Sequence, residues 1–313
     1  MLKRYYIIFM LLVLPALGML AQNDPSFSHY WALEPSFNPA AVGKEQKINV
    51  TGAYAMTLTG FENNPRTMYA AADMPFYAMK SYHGIGAQFM NDQIGHFSHK
   101  KFALQYAYRH KLFGGMLALG AHLGMISETF NGSNIDLPDN QTDNAVPTSE
   151  VTGSAIDLGA GLYYATQTWY VGASALHLNG PDVQMGEKQN FKWSPTYYLT
   201  GGYNIQLNNP FVSIHPSVLG RTDGVAYRVD ISARVKYVND KKVMYAGLAY
   251  SPTNSVTAMI GGNFHGVSLG YSYEVYTSSL SFGNGSHEIF IGYQTDINLT
   301  KKGRNLHKSV RIL

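Results

Sequence analysis

From residue 47 onward the chain alternates apolar and polar side chains with a period of two. Rows such as Phe102/Leu104/Tyr106/Tyr108, Leu117/Leu119/Ala121/Leu123/Met125 and Val267/Leu269/Tyr271/Tyr273/Val275 fall on one face, with their alternates on the other. That is the geometry of a β-strand, in which successive side chains point to opposite sides. About 14 strands are predicted, near 47–59, 66–75, 82–91, 98–109, 115–129, 154–164, 167–178, 191–208, 210–219, 224–238, 242–251, 254–263, 265–276 and 286–296. No stretch carries a convincing helical period. The pattern leaves one question open. In GVAYRVDISARVKYV (224–238) the row from Val225 to Tyr237 is apolar, while Arg228, Asp230, Arg234 and Lys236 share the other face. A soluble sheet and a membrane barrel with a wet interior both produce this.

Loops and the polar face separate the two. Tight connections (HKLFGG, TQT, NNP, NDKK, FHG) alternate with longer or irregular ones, among them FENNP, 131–153, 180–190 and SSLSFGNGS. Short turns on one rim and longer loops on the other are the rule for outer-membrane barrels. A Greek-key sandwich has no reason to alternate this way. The polar face is also unusual, being mostly Gly, Ala, Ser, Asn and Gln, as in Thr200/Gly202/Asn204/Gln206. Small polar residues suit a crowded or water-filled lumen. Trp169, Tyr237, Tyr250 and Tyr276 stand at strand ends, where aromatic girdles form. The predicted fold is an all-β transmembrane antiparallel barrel.

Composition agrees. Charged residues make up 14% of the 313, against roughly 25% in soluble domains. The chain opens with Lys3 and Arg4, an apolar run from Tyr5 to Leu17, and then small residues. This reads as a secretory signal peptide cut after Gly18 or Ala21, the run being shorter than the roughly 20 residues of a spanning helix. Four segments follow: signal peptide 1–21, an irregular Pro- and aromatic-rich stretch 22–45, a barrel 46–296, and a basic tail 297–313. With no cysteine, disulfide scaffolding, thiolate catalysis and lipid attachment at the cut are excluded. The net charge of +3 hides an asymmetry. Setting aside two basic residues of the leader and five of the tail (Lys301, Lys302, Arg304, Lys308, Arg311) leaves 16 of the 23 against 20 acids. A mildly acidic body does not fit a nucleic-acid partner.

Candidate chemistry is sparse. The eleven histidines are scattered. His96 and His99 are close, yet spacing alone is a weak sign of metal ligation. His122, His177 and His215 lie within predicted strands and read as lumenal hydrogen-bonders. Asp136, Asp139 and Asp143 depart from the calcium-loop spacing and read as an acidic external loop. Gly159/Gly161 and Gly261/Gly262 sit in strands with no following helix, so curvature or close packing accounts for them better than phosphate binding. No catalytic residue, metal site or cofactor is expected. Arg228, Asp230, Arg234 and Lys236 have two readings: an ion-pair network that holds the interior, or the lining of a selective pore.

Further motifs carry a family resemblance. QNDPSFSHYWALEPSFNPAAVG holds Asp24, Pro25, Phe27, Ser28, Asn38, Pro39, Ala40 and Gly43, and NNPRTMYAAADMP, GIGAQFMNDQIG and GSHEIFIGYQ follow. In these the chain resembles the PorP/SprF family of type IX secretion and gliding systems, over essentially the whole mature length. Two departures stand out. The family's Gln-Trp is absent around Met56 and Thr57, and Asn63 and Asn64 stand where Gly-Ala is usual. The resemblance implies a non-enzymatic outer-membrane barrel needed for export or surface attachment of cargo with C-terminal signal domains. It also implies periplasmic ring partners, an outer-membrane lipoprotein and a peptidoglycan-binding protein. The expected contacts are Phe27, Asn38, Pro39 and Gly43, or lumen plugging by their segment, together with Lys301, Lys302, Arg304, Lys308 and Arg311 of the tail. The alternative function is a general or selective porin for small solutes.

Overall fold

The structure, a computed structural model, describes residues 24–132, 149–186, 189–240, 242–278 and 283–297. The expected leader, the loop with Asp136, Asp139 and Asp143, and the five basic tail residues lie outside the described residues. The strands are β1 Lys47–Met56, β2 Arg66–Ala78, β3 Ser81–Ile94, β4 Phe97–Leu112, β5 Gly115–Asn131, β6 Glu150–Ala165, β7 Trp169–Leu176, β8 Asp182–Met185 and β9 Gln189–Lys192. They continue with β10 Thr196–Tyr203, β11 Ile205–Gln206, β12 Val212–Thr222, β13 Tyr227–Asn239, β14 Lys242–Ser251, β15 Ser255–Phe264, β16 Val267–Tyr276 and β17 Ser286–Asp296.

Fourteen of these make a closed antiparallel barrel, β11 being a short continuation of β10 past Asn204. Each wall strand pairs with its chain neighbour, and β1 closes the ring on β17 from Lys47↔Asp296 to Met56↔His287. β10 pairs directly with β7 and β12. β8 and β9 form a separate hairpin. The strand predicted at 191–208 therefore begins only at Thr196, after Pro195 breaks the run, and 189–192 belong to the hairpin.

Alternation decides which way each side chain points. In β4, Phe102, Leu104, Tyr106 and Tyr108 are exposed on the outside, while Lys101, Ala103, Gln105, Ala107 and Arg109 are buried inside. The same holds around the ring: Ile231 and Val235 of β13, Leu248 of β14, Ile260 of β15 and Ile289 and Ile291 of β17 are each more than half exposed. So continuous an exposed apolar band is stable only against lipid. One aromatic expected in the girdle departs from it. Tyr276 is buried, with its hydroxyl 2.8 Å from Ser286 Oγ.

The rim where β1 starts and β17 ends carries the tight turns. Met79–Lys80 and His265–Gly266 are two-residue turns with positive φ at both positions, as hairpins matched to the strand twist require. In outer-membrane barrels this rim is periplasmic. At the opposite rim Gly95–His96 is also a tight turn, so the alternation of loop lengths is a trend rather than a rule. Strands β4 to β6, of 16, 17 and 16 residues, form the tall side of the wall. The β8–β9 hairpin leans inward there. Val183, Met185 and Trp193 pack on Ile126 and Phe130 and cover the outer mouth on that side.

Candidate functional site in the lumen

Residues 24–46 have no strand period, and 24–43 lie inside the barrel. The segment folds as two 3₁₀ turns, Glu34–Ser36 and Pro39–Ala41, joined by irregular backbone. Phe27, His29, Tyr30, Leu33, Glu34, Asn38, Ala40 and Val42 are all at most 5% exposed. An irregular backbone can sit in a lumen only if its polar groups find partners there. The wall supplies them. Arg109 donates to the carbonyls of Ala40 and Val42 at 2.9 and 2.8 Å. Gln105 donates to Pro35 O at 2.7 Å, and Ser174 to Phe37 O at 2.7 Å. Asn38 caps its own turn by accepting from Ala40 N, and its amide donates to Leu162 O at 3.0 Å.

Charge fixes the ends of the plug. At the outer end the Asp24 carboxylate accepts from Tyr198 Oη at 2.7 Å and His177 Nε2 at 3.1 Å, with Lys101 Nζ at 3.4 Å. Burial alone would raise this carboxyl, but Lys101 and His177 beside it hold it well below the usual carboxylate range. Arg221 donates to the Asp24 carbonyl. His177 and His122 both bond Asp157, at 2.9 and 3.0 Å, so one buried chain runs from the wall into the plug. Glu288 of β17 accepts from Ser28 N and from His29 Nδ1. Toward the periplasmic end Glu34 pairs with Lys44 at 2.5 Å and accepts from Tyr163 at 3.2 Å. Burial would lower the Lys44 ammonium, and Glu34 and Glu45 keep it above its ordinary value.

Close approach depends on wall glycines. A Cβ on Gly120 would lie 2.2 Å from Ala40 N, one on Gly161 2.2 Å from Asn38 Oδ1, and one on Gly84 2.1 Å from Val42 O. Gly43, with φ +62, meets the Gly84 backbone where the plug leaves the lumen. These glycines face inward because the plug's backbone occupies the space their side chains would fill.

The sequence-derived candidates fall as follows. Phe27 packs on Tyr69 at a centroid distance of 5.6 Å, and Asn38, Pro39 and Gly43 are buried against β3, β5 and β6. A periplasmic protein reaches these four only if the plug leaves the barrel. Arg228 bonds Asp230 and Glu274, each at 2.9 Å, while Arg234 lies over the Trp31 ring at 3.8 Å and Lys236 lines the periplasmic end. His215 bonds Ser213, and His99 bonds Glu128, which also accepts from Trp193 Nε1. Among the described residues no group of three or more His, Cys, Asp or Glu is placed to hold a metal ion. The sequence showed Asp24 only as a motif residue, and it missed His29, Glu34, Arg109, Asp157 and Glu288; the last three left only the trace of single charges on inward strand positions.

Between plug and wall, open toward the periplasmic rim, lies a cavity of about 600 Å³. Its floor is Trp31 to Pro35, and its walls include His215, Arg234, Lys236 and Tyr245.

Comparison with known proteins agrees with this architecture. The fold is similar to the CymD monoaromatic hydrocarbon channel (TM-score 0.54, 13% identity, covering 86% of this chain and 94% of that one). It is also similar to the Pseudomonas putida toluene transporter TodX (TM-score 0.50, 10% identity, 88% and 95% covered). These likenesses concern the fold alone. No curated protein matches the sequence. Residues 19–293 match the family described as type IX secretion system membrane protein PorP/SprF. With a signature that spans nearly the whole described chain and an apolar belt around a closed barrel, the protein is an outer-membrane member of the PorP/SprF family of type IX secretion.

Proposed function

We propose that this barrel is a structural and interaction component that links the outer membrane to the periplasmic secretion machinery and supports export or surface attachment of cargo. The observation that carries the reading is the filled lumen. Residues 24–43 occupy the interior through backbone and charged contacts with at least seven wall strands. A passive solute pore has no use for such a filling, whereas a barrel that works through its rims and its partners is compatible with it. The proposed partners are periplasmic ring components (an outer-membrane lipoprotein and a peptidoglycan-binding protein) and the C-terminal signal domains of cargo. The basic tail, with Lys301, Lys302, Arg304, Lys308 and Arg311, is the proposed contact on the periplasmic side, and a non-catalytic role goes with it.

Crosslinking and pull-down from native membranes test the reading. Capture of periplasmic ring proteins by the whole chain, lost when 297–313 are deleted, supports it. Partners that still bind without the tail refute the tail's role. In planar bilayers the whole chain is expected to be silent. A steady conductance that changes on substitution of Arg228 or Arg234 would instead establish the porin alternative.

A further inference from the structure

The periplasmic cavity has an electrostatic imbalance that the plug does not use. Three acids line it, and each is engaged. Glu34 is bound by Lys44 and Tyr163, Glu45 lies 3.7 Å from Lys47, and Asp73 accepts from Gly43 N and the Asn49 amide. On the facing wall the cations have no such partners. Neither Arg234 nor Lys236 has an acid within ion-pairing distance or a hydrogen-bond acceptor among the described residues. Arg234 is held only by the face of Trp31.

Unsatisfied donors lie in residues around the same space. Arg234 Nε, Tyr245 Oη and Trp31 Nε1 are buried without a hydrogen-bond partner, and all three residues line the cavity. Cationic donors with no acceptor are disfavoured, so whatever accepts from Arg234 and Lys236 in the cavity is bound favourably. Strand register gathers these groups. His215 stands directly opposite Arg234, and Lys236 directly opposite Tyr245, on adjacent inward rows of β12, β13 and β14. Gly247 leaves room for this arrangement, since a Cβ there would lie 2.6 Å from Arg234 Cγ.

A planar guanidinium and an ammonium on one wall of a recess match the lone pairs of an oxyanion. The cavity volume of about 600 Å³ is that of a small-molecule site. We propose that this vestibule binds a carboxylate or phosphate group, carried by a small solute or by a lipid headgroup that reaches the periplasmic rim. The site lies outside the interaction role above, and its test does not depend on it.

The experiment uses the whole purified protein in neutral detergent, titrated calorimetrically with inorganic phosphate and with citrate. Saturable binding is expected, weakening as sodium chloride rises. It should fall more than about tenfold in Arg234→Gln and in Lys236→Gln, and stay unchanged in Lys100→Gln on the outer rim. Arg234→Lys, which keeps the charge and loses the fork, should fall between. Heat-modifiable gel mobility shows that each variant remains a folded barrel. In nanodiscs, competition by phosphatidylglycerol against phosphate identifies a headgroup as the source, and no competition identifies a soluble anion. No saturation by either probe below about 10 mM, or equal affinity in wild type and both Gln variants, overturns the proposal. Failure here leaves capture of ring proteins untouched, and the reverse holds.

Discussion

Gly120→Ala is the smallest change that should loosen the plug. The added methyl carbon would sit 2.2 Å from Ala40 N and 2.5 Å from Ala40 Cα, with Pro39 C also at 2.5 Å. All three are backbone atoms of a tight turn that is itself buried, so no side chain can swing aside. Either β5 bends, which its ladders to β4 and β6 resist, or the turn lifts off the wall. Overpacking of this kind costs roughly 1–3 kcal/mol. If that cost falls on the docked state alone, the undocked population rises about 5- to 150-fold. The absence of cysteine makes this measurable. Ser36→Cys, at a plug position 9% exposed, supplies one protected thiol, and its maleimide labelling rate tracks the undocked fraction. Labelling should accelerate by that factor in Gly120→Ala. It should not change in Gly220→Ala, where the nearest atom to an added Cβ is 3.9 Å away. If Gly120→Ala labels within twofold of wild type while the barrel stays folded, the wall glycines do not hold the plug by close contact.

Other expectations follow from the same contacts. Arg109→Gln removes charged hydrogen bonds to two plug carbonyls, each worth about 1.5–3 kcal/mol, so amide exchange over 38–44 should quicken while the β4 ladder stays protected. Asp24→Ala leaves Lys101 without its ion-pair partner in the interior, at a cost of about 3–5 kcal/mol, and should give intermittent channel openings in bilayers that are otherwise silent. The pH range of the closed state has two edges. Because Asp24 is depressed in the fold, its contribution is full above its ordinary value of 3.8 and is lost as pH falls through the depressed value. Lys44 is raised, so its contribution is full below 10.5 and is lost as pH rises through the folded value. Conductance should therefore stay closed across neutral pH and open at both extremes, and an opening centred near pH 7 would contradict this. At the outer mouth, Trp193→Ala removes a buried indole and its bond to Glu128. At about 3–5 kcal/mol it should expose the β8–β9 hairpin to surface protease and leave the barrel itself uncut.

The wall was legible from the chain because lipid is a uniform solvent. Every outward position of β4 or β16 faces the same environment, so a row such as Val267/Leu269/Tyr271/Tyr273/Val275 repeats without local exceptions. The interior has no such uniformity. Asp24 finds His177, Tyr198 and Arg221 across separations of 153, 174 and 197 residues, and no local period encodes a meeting of that kind. Gly159 and Gly161 read as close-packing sites, and Gly161 does face Asn38, but nothing in the wall sequence names what it packs against. The hairpin stayed hidden for a different reason. β8 and β9 are four residues each, too short for alternation to stand out, and β9 runs almost directly into the following strand until Ser194–Pro195 intervenes.

Plug and seam together impose an order on assembly. The segment 24–46 is the first of the described chain to be made, yet Glu288, which holds Ser28 and His29, belongs to the strand that arrives last and zips onto β1. Contacts of such separation are slow to form because the intervening chain must first be gathered. Threading the segment into a finished ring from the periplasmic rim, where it joins β1 at Lys47, would mean making all of these long-range contacts through one opening. The N-terminal stretch thus behaves as a mandrel: the hoop is completed around it, and the last stave locks both at once.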